Sequence, residues 1–292
     1  MRNLTQFPIA SGAVAVIFAA LSAVSYGLGD YCGGRASRDA DSFVVTFVGQ
    51  LFSVLLIVAA LFAFGDPVPG AHDWLWGAAG GVGGFIGLSL FYLALSKGAM
   101  TVVAPLTAMV SSIVPAAAGV LLGERPNLLG YIGIVVALAG IALVTGAVGI
   151  AHQKVSVSIV VFAVLGGCGF GWMYVCLDRA HEDAGMWPLL AARIASISIA
   201  GVVILARRSD GPRFVGIGLL AMVAGMFDMA ANILFVVANH RGLLSLVSVV
   251  ASLYPVSTIV LAMRIDRERV TRSQVGGMVL AGVALAFVSL GA

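Results

Sequence analysis

The sequence predicts an all-α integral membrane protein of ten transmembrane helices, arranged as two inverted-topology five-helix repeats. Three observations lead there. The 292-residue chain is 61% hydrophobic and 10% charged, with a mean hydropathy of +1.08, whereas soluble domains carry roughly 25% charged residues. Ten apolar runs approach the roughly 20 residues that cross a bilayer as a helix. Finally, a constant shift of 144 residues, with no gaps, lays the chain's landmarks on one another. Phe18-Ala19 recurs as Phe162-Ala163, Gly27 as Gly171, Gly81 as Gly225, and Leu90-Phe91 as Leu234-Phe235. Ala94 recurs as Ala238, Gly98 as Gly242, Glu124-Arg125 as Glu268-Arg269, and Gly133 as Gly277. Five crossings in each copy, an odd number, turn the second copy over. Oppositely oriented copies are a recurrent design for carriers with alternating access.

The spans are expected at 12–31, 42–64, 74–95, 100–122, 129–147, 156–177, 187–206, 214–238, 243–264 and 274–291. Helices are required because an open sheet would leave backbone donors unpaired in lipid. A barrel would need period-two alternation, and these runs are apolar all round. Span one matches the internal run Val157–Leu177 at the constant shift, so it reads as a retained span, not a cleaved leader. Breaks follow clusters of Gly, Pro and charge: Gly33 to Asp41, Gly65-Asp66-Pro67, Gly123 to Pro126, Asp178 to Asp183, Arg207 to Arg213, and Arg264 to Arg272. Span three holds Gly77, Gly80, Gly81, Gly83, Gly84 and Gly87, several of them four apart, which lets a neighbouring backbone come close. It reads as tight packing or as room left for a cavity. Spans four and nine carry Pro105, Pro115 and Pro255, which free backbone carbonyls to bend the helix or line a cavity. In spans five and ten, Gly133-x-x-x-Ala137 and Gly277-x-x-x-Ala281 are packing seams, either within the chain or between the protomers of a homodimer. Glu124-Arg125 and Glu268-Arg269, at the ends of spans four and nine, read as loop and cap residues. Cys32, Cys168 and Cys176 form no C-x-x-C pair and read as small apolar fillers.

Orientation follows from the basic residues. With the N-terminus on side one, that side receives Arg2, Arg125, Arg179 and Arg241, and side two receives eleven Lys and Arg residues from Arg35 to Arg272. The imbalance places side two in the cytoplasm. The net charge of +3, with no basic stripe, excludes nucleic acid as a partner.

Inside a membrane the informative groups are polar ones. A charge at a helix centre costs roughly 2.5–3.5 kcal/mol on insertion scales. Two lie within spans: Arg193 in span seven and Asp228 in span eight. Their depths from side one are on the order of 10 and 15 Å, at 1.5 Å per residue. They read either as an ion pair that sets helix register or as the lining of a polar cavity. In the second case Arg193 attracts an anionic group and Asp228 binds a cation or carries a proton. Asn232 lies one turn beyond Asp228 on the same face. The positions 144 earlier hold Gly84 and, beside the counterpart of Arg193, Gln50, so the ionisable groups concentrate in the second repeat. Tyr26 and Gln50 add polar lining, and Trp172 and Tyr254 apolar walls. Trp172 and Tyr174 also suit an interfacial aromatic belt. Asp30, near the end of span one, reads as solvated.

Together these features resemble the EamA-like family of the drug/metabolite transporter superfamily. The resemblance rests on Tyr26-Gly27, Tyr92-x-Ala94-x4-Ala99, Leu122 to Arg125 and Gly133. In the second copy it rests on Gly169 to Trp172, Arg193, and Pro255 through Glu268 to Gly277. The chain has Tyr26 where the family's pattern has Trp, Gln50 where arginine is common, and Asp266-Arg267-Glu268 where Gly-Glu is usual. The resemblance implies EamA-like repeats over 1–148 and 149–292 and a multi-pass carrier of the cell (inner) membrane. Its central cavity would lie between spans one to four and six to nine, with spans five and ten peripheral. It further implies export of amino acids, metabolites or toxic compounds, often driven by protons, with both termini in the cytoplasm, the reverse of the charge count. No cofactor or metal is expected. An enzyme is disfavoured because His72, His152, His181 and His240 are far apart and no H-E-x-x-H occurs. The alternative is a non-transporting membrane subunit or regulatory partner, which would bind no small molecule and co-purify with another protein.

Overall fold

In the computed structural model the described residues are 8–98, 100–144, 156–207, 218–265 and 272–291. Glu268-Arg269, Asp266-Arg267, Ala99, His152, the loop 208–213, and the ends of predicted spans five (145–147) and eight (214–217) lie outside them. The regular structure is helical: α1 (Pro8–Asp39), α2 (Ser42–Phe64), α3 (Ala71–Lys97), α4 (Met100–Leu121), α5 (Leu128–Val144) and α6 (Val157–Arg179). After a short 3-10 turn, Glu182–Ala184, come α7 (Trp187–Arg207), α8 (Gly218–Asn239), α9 (Leu244–Ala251), α10 (Pro255–Ile265) and α11 (Arg272–Gly291). Among the described residues eight segments are long and apolar enough to cross a membrane, α9 and α10 together making one of them. The apolar stretches found in α5 and α11, Leu128–Gly140 and Val275–Ala284, are shorter.

Two local expectations are corrected. Gly33-Gly34 does not end the first helix, which runs on to Asp39. These glycines serve packing instead: a Cβ on Gly33 would lie 2.0 Å from the Tyr92 hydroxyl. The break falls at Asp41, whose carboxylate caps α2 by accepting from the N–H of Phe43 at 2.8 Å. Span nine is two helices. The chain unwinds at 252–254 and restarts at Pro255, the first helical position, where a missing N–H costs nothing. Pro105 and Pro115, by contrast, lie inside the continuous α4.

Helix pairing is unchanged when the two halves are exchanged. The main contacts are α1 with α8 and α3 with α6, then α2 with α8 and α3 with α7, and α5 with α11. Individual contacts obey the same exchange. Lys97 lies over the Phe162 ring at 5.6 Å and Arg241 over Phe18 at 5.4 Å, the same pair with 144 added to one number and subtracted from the other. A Cβ on Gly98 would meet Ile159 and Val103, and one on Gly242 would meet Ala15 and Val247, again the same swap. Gly83 and Gly87 of α3 meet the α6 backbone, a Cβ on Gly83 lying 2.8 Å from the Gly169 carbonyl, while Gly77 and Gly81 meet the α7 backbone. Tight packing is therefore their role at those seams. Gly133, Ala137 and Gly277 are buried on helices that pack against one another within the chain.

Glu124 caps a helix of the other half. Its two carboxylate oxygens accept from the N–H groups of Leu244 and Ser245 at 2.7 and 3.0 Å, at the start of α9. Negative charge suits that end of a helix. Glu124→Ala strands both donors, and we expect it to cost about 2 kcal/mol, read as earlier thermal unfolding in detergent. A variant that unfolds with the wild type would show that the cap contributes nothing.

Candidate functional site

The site is built where α1, α2, α7 and α8 meet. Helix α8 approaches α1 and α2 closely because small residues face it. A Cβ on Gly29 would lie 3.0 Å from the Ala224 carbonyl and 3.3 Å from the Asp228 nitrogen, and one on Gly225 would strike the Gly49 carbonyl. That closeness brings Asp228 into the interior opposite α7. Arg193 Nη2 donates to Asp228 Oδ2 at 2.5 Å, with 8% and 13% of the two side chains exposed. Asn232, one turn on, donates from Nδ2 to the Asp228 carbonyl at 2.7 Å and accepts from the Tyr26 hydroxyl at 3.0 Å. Arg193 Nε is buried without a partner. An unspent charged donor in such a place is costly unless something accepts from it.

Gln50 adjoins the pair through Ser196, whose hydroxyl donates to Gln50 Oε1 and also contacts the Arg193 carbonyl at 3.2 Å. Aromatic rings close the other side. The Tyr26 ring centroid lies 6.3 Å from those of both Tyr174 and Tyr254, and Tyr174 stacks on Phe235 at 4.2 Å. The Tyr254 hydroxyl donates to the Ala104 carbonyl at 3.1 Å, tying the α9–α10 break to α4. At that break Ser257 Oγ and Thr258 Oγ1 donate to the Tyr254 carbonyl, which also accepts the Thr258 backbone N–H.

Of the residues singled out from sequence, Tyr26, Gln50, Arg193, Asp228, Asn232 and Tyr254 are thus brought into one neighbourhood. Trp172 is not. It lies on the outside at the α3–α6 seam, 47% exposed, with its indole N–H donating to the Ala79 carbonyl at 3.1 Å. Tyr174, read as an interfacial residue, is 3% exposed inside the site. Asp30, read as solvated, is buried at 7%. Two signals in the sequence point to it. Asp30 is one turn beyond Tyr26 on the same helix face, and its counterpart at the 144-residue shift is Tyr174.

The vestibule expected from sequence is not open in this conformation. Tyr26, Gln50, Asn232 and Tyr254 are each no more than 6% exposed. A cavity of about 510 Å³ lies elsewhere, against α1, α9, α10 and α11, lined by apolar residues such as Val24, Leu253 and Val260.

The profile of the EamA-like transporter family matches residues 13–146 and again residues 157–290, the two halves that the contacts exchange. The chain belongs to the EamA-like transporter family. It is therefore a membrane transporter of the drug/metabolite superfamily, a class of transporters and not of enzymes. A crystal structure of a protein with 17% sequence identity superposes with a TM-score of 0.68, covering 97% of this chain and 96% of its own. At that identity the likeness speaks for the fold. No relative among curated proteins matches the sequence.

Proposed function

We propose that this EamA-like protein is a secondary active exporter of the plasma membrane. Its substrate would be a small metabolite, amino acid or drug-like compound, moved by alternating access and coupled to protons through Asp228. The observation that carries the reading is the buried Arg193–Asp228 pair with Arg193 Nε left without an acceptor. Two charges this deep in apolar helices cost several kcal/mol to insert, and a pair needed only for packing would leave no donor idle. The exchange of contacts between halves supports a two-fold relation. With five crossings per half, ten in all, its axis lies in the membrane plane and the repeats are inverted. The closed aromatic lid of Tyr26, Tyr174 and Tyr254 supports reading this conformation as an occluded one.

The chemistry then runs as an exchange. With Asp228 ionised, its charge holds the Arg193 guanidinium. A proton and a cationic group of the substrate compete for the same carboxylate, so the substrate binds only while Asp228 is ionised, with Arg193 Nε taking an anionic group of the substrate. A proton taken up by Asp228 on the outer side displaces the substrate, and its loss on the inner side readies the site for the next.

The test begins with thermal-shift screening of detergent-purified protein against amino acids, nucleosides and cationic drugs at two pH values. A ligand found this way is then followed in proteoliposomes under a pH gradient. Asp228→Asn keeps an acceptor for Arg193 but cannot titrate. It is expected to stay folded and to lose pH-driven flux. Unchanged proton-driven flux in this variant removes Asp228 from the mechanism.

A further inference from the structure

On side one, away from the Arg193–Asp228 chamber, the fold brings together three residues that the sequence keeps far apart. His72 and Asp73 begin α3, and His181 follows α6. Asp73 Oδ1 faces His181 Nδ1 at 2.9 Å and His72 Nδ1 at 3.4 Å, and it also accepts from the His181 backbone N–H at 2.8 Å. The two imidazole rings lie 4.5 Å apart, and the three ligand atoms are all within 4.8 Å of one another. The carboxylate is buried beneath them at 6% exposure, while the two rings are open to solvent.

We propose that His72, Asp73 and His181 form a binding site for a divalent transition-metal ion that bridges the two halves of the transporter. At metal–ligand distances of about 2.0–2.2 Å, ligand atoms around a tetrahedral ion stand about 3.4 Å apart. The observed separations reach that spacing with small movements of two exposed rings. Two imidazole nitrogens and one carboxylate oxygen select zinc, nickel or cobalt over magnesium or calcium, with water filling the open positions.

The protons balance without a net release. The Trp76 indole N–H donates to His72 Nε2 at 3.0 Å, so neutral His72 carries its proton on Nδ1, toward Asp73. Ligation through Nδ1 moves that proton to Nε2 by exchange with water, which breaks the Trp76 bond. His181 changes tautomer in the same way.

The scaffold does not demand this cluster. The residues 144 positions away from His72, Asp73 and His181 are Gly216, Ile217 and Ser37. Two of its residues belong to the first copy and one to the second, and neither copy carries it at the shifted positions. In a carrier whose halves rock, a bound ion holds side one shut. That consequence rests on the transport reading, whereas the binding does not.

The test uses full-length, tag-free protein in detergent, stripped of metal and titrated with Ni²⁺ while tryptophan fluorescence is followed. Saturable quenching in the micromolar range is expected, with none from Mg²⁺. His181→Ala, at an exposed position, should weaken binding by about ten-fold or more, and His72→Ala likewise. Trp76→Phe should lose most of the quenching yet still bind Ni²⁺ by calorimetry. Ni²⁺ should also slow amide exchange of residues 180–186 in the wild type and not in His181→Ala. Quenching that never saturates, or that is the same in both histidine variants, overturns the site. Saturable binding with unaltered exchange at 180–186 overturns the bridge.

Discussion

Arg193→Leu is expected to destabilise the protein by about 3–5 kcal/mol, because it leaves the Asp228 carboxylate buried without its cation. Asp228→Leu should cost a similar amount for the converse reason. The double variant Arg193→Leu/Asp228→Leu should recover most of that stability, since apolar residues of similar volume replace a buried ion pair at little cost. Transport should not return with it. This non-additivity is the signature of two charges in direct contact, as expected for Nη2 and Oδ2 at 2.5 Å. The measurement is thermal unfolding of the four proteins in detergent beside their flux in liposomes. Single variants that each cost under about 1 kcal/mol and add in the double would show an uncoupled pair. A double variant that still transports would show that the pair serves helix register alone. Asp228→Asn differs from these because it preserves an acceptor, and so separates titration from folding.

The second large effect is expected at two glycines that occupy equivalent places in the repeats. A Cβ on Gly225 would lie 1.8 Å from the Gly49 carbonyl oxygen, and one on Gly81 would lie 2.2 Å from the Ala192 carbonyl oxygen. Both obstacles are backbone, so no rotamer change relieves them and the helices themselves must part. Gly225→Ala and Gly81→Ala should each cost about 1–3 kcal/mol. Gly225→Ala should also impair transport, because the α2–α8 crossing is what brings Asp228 inside. Gly84 supplies the contrast. Its Cβ would meet only the Met173 side chain, nearest at Sδ, 2.8 Å, and that flexible chain can move. Gly84→Ala should be close to neutral, the strain offset by a helix-propensity gain of about 0.8–1.0 kcal/mol. Thermal unfolding of the three variants side by side tests the ordering, and equal losses would refute it.

These glycines show what kind of information the sequence carried. Their recurrence at a fixed spacing is visible, and so is the doubling of the unit, because a repeat is a property of order along the chain. Arg193, Asp228 and Asn232 were visible for a different reason: polar groups inside apolar runs stand out whatever surrounds them. Asp30 reads as solvated because it sits near a span end, where water is an adequate partner, and only the extension of α1 past Gly33-Gly34 puts it inside. His72 and His181 are far apart in sequence, and nothing in that spacing brings α3 and the α6–α7 connection together.

Order along the chain therefore settled the helical class, the doubling of the unit and the few charges whose burial demands a reason. Tertiary packing alone decided that Trp172 faces outward and Tyr174 inward, that Pro255 divides its span while Pro105 and Pro115 do not, and that the polar chamber is shut. The cause is the solvent. A helix bathed in lipid is apolar on every side and has no polar stripe to mark its outer face, so which neighbour a side chain meets is settled only when the helices pack.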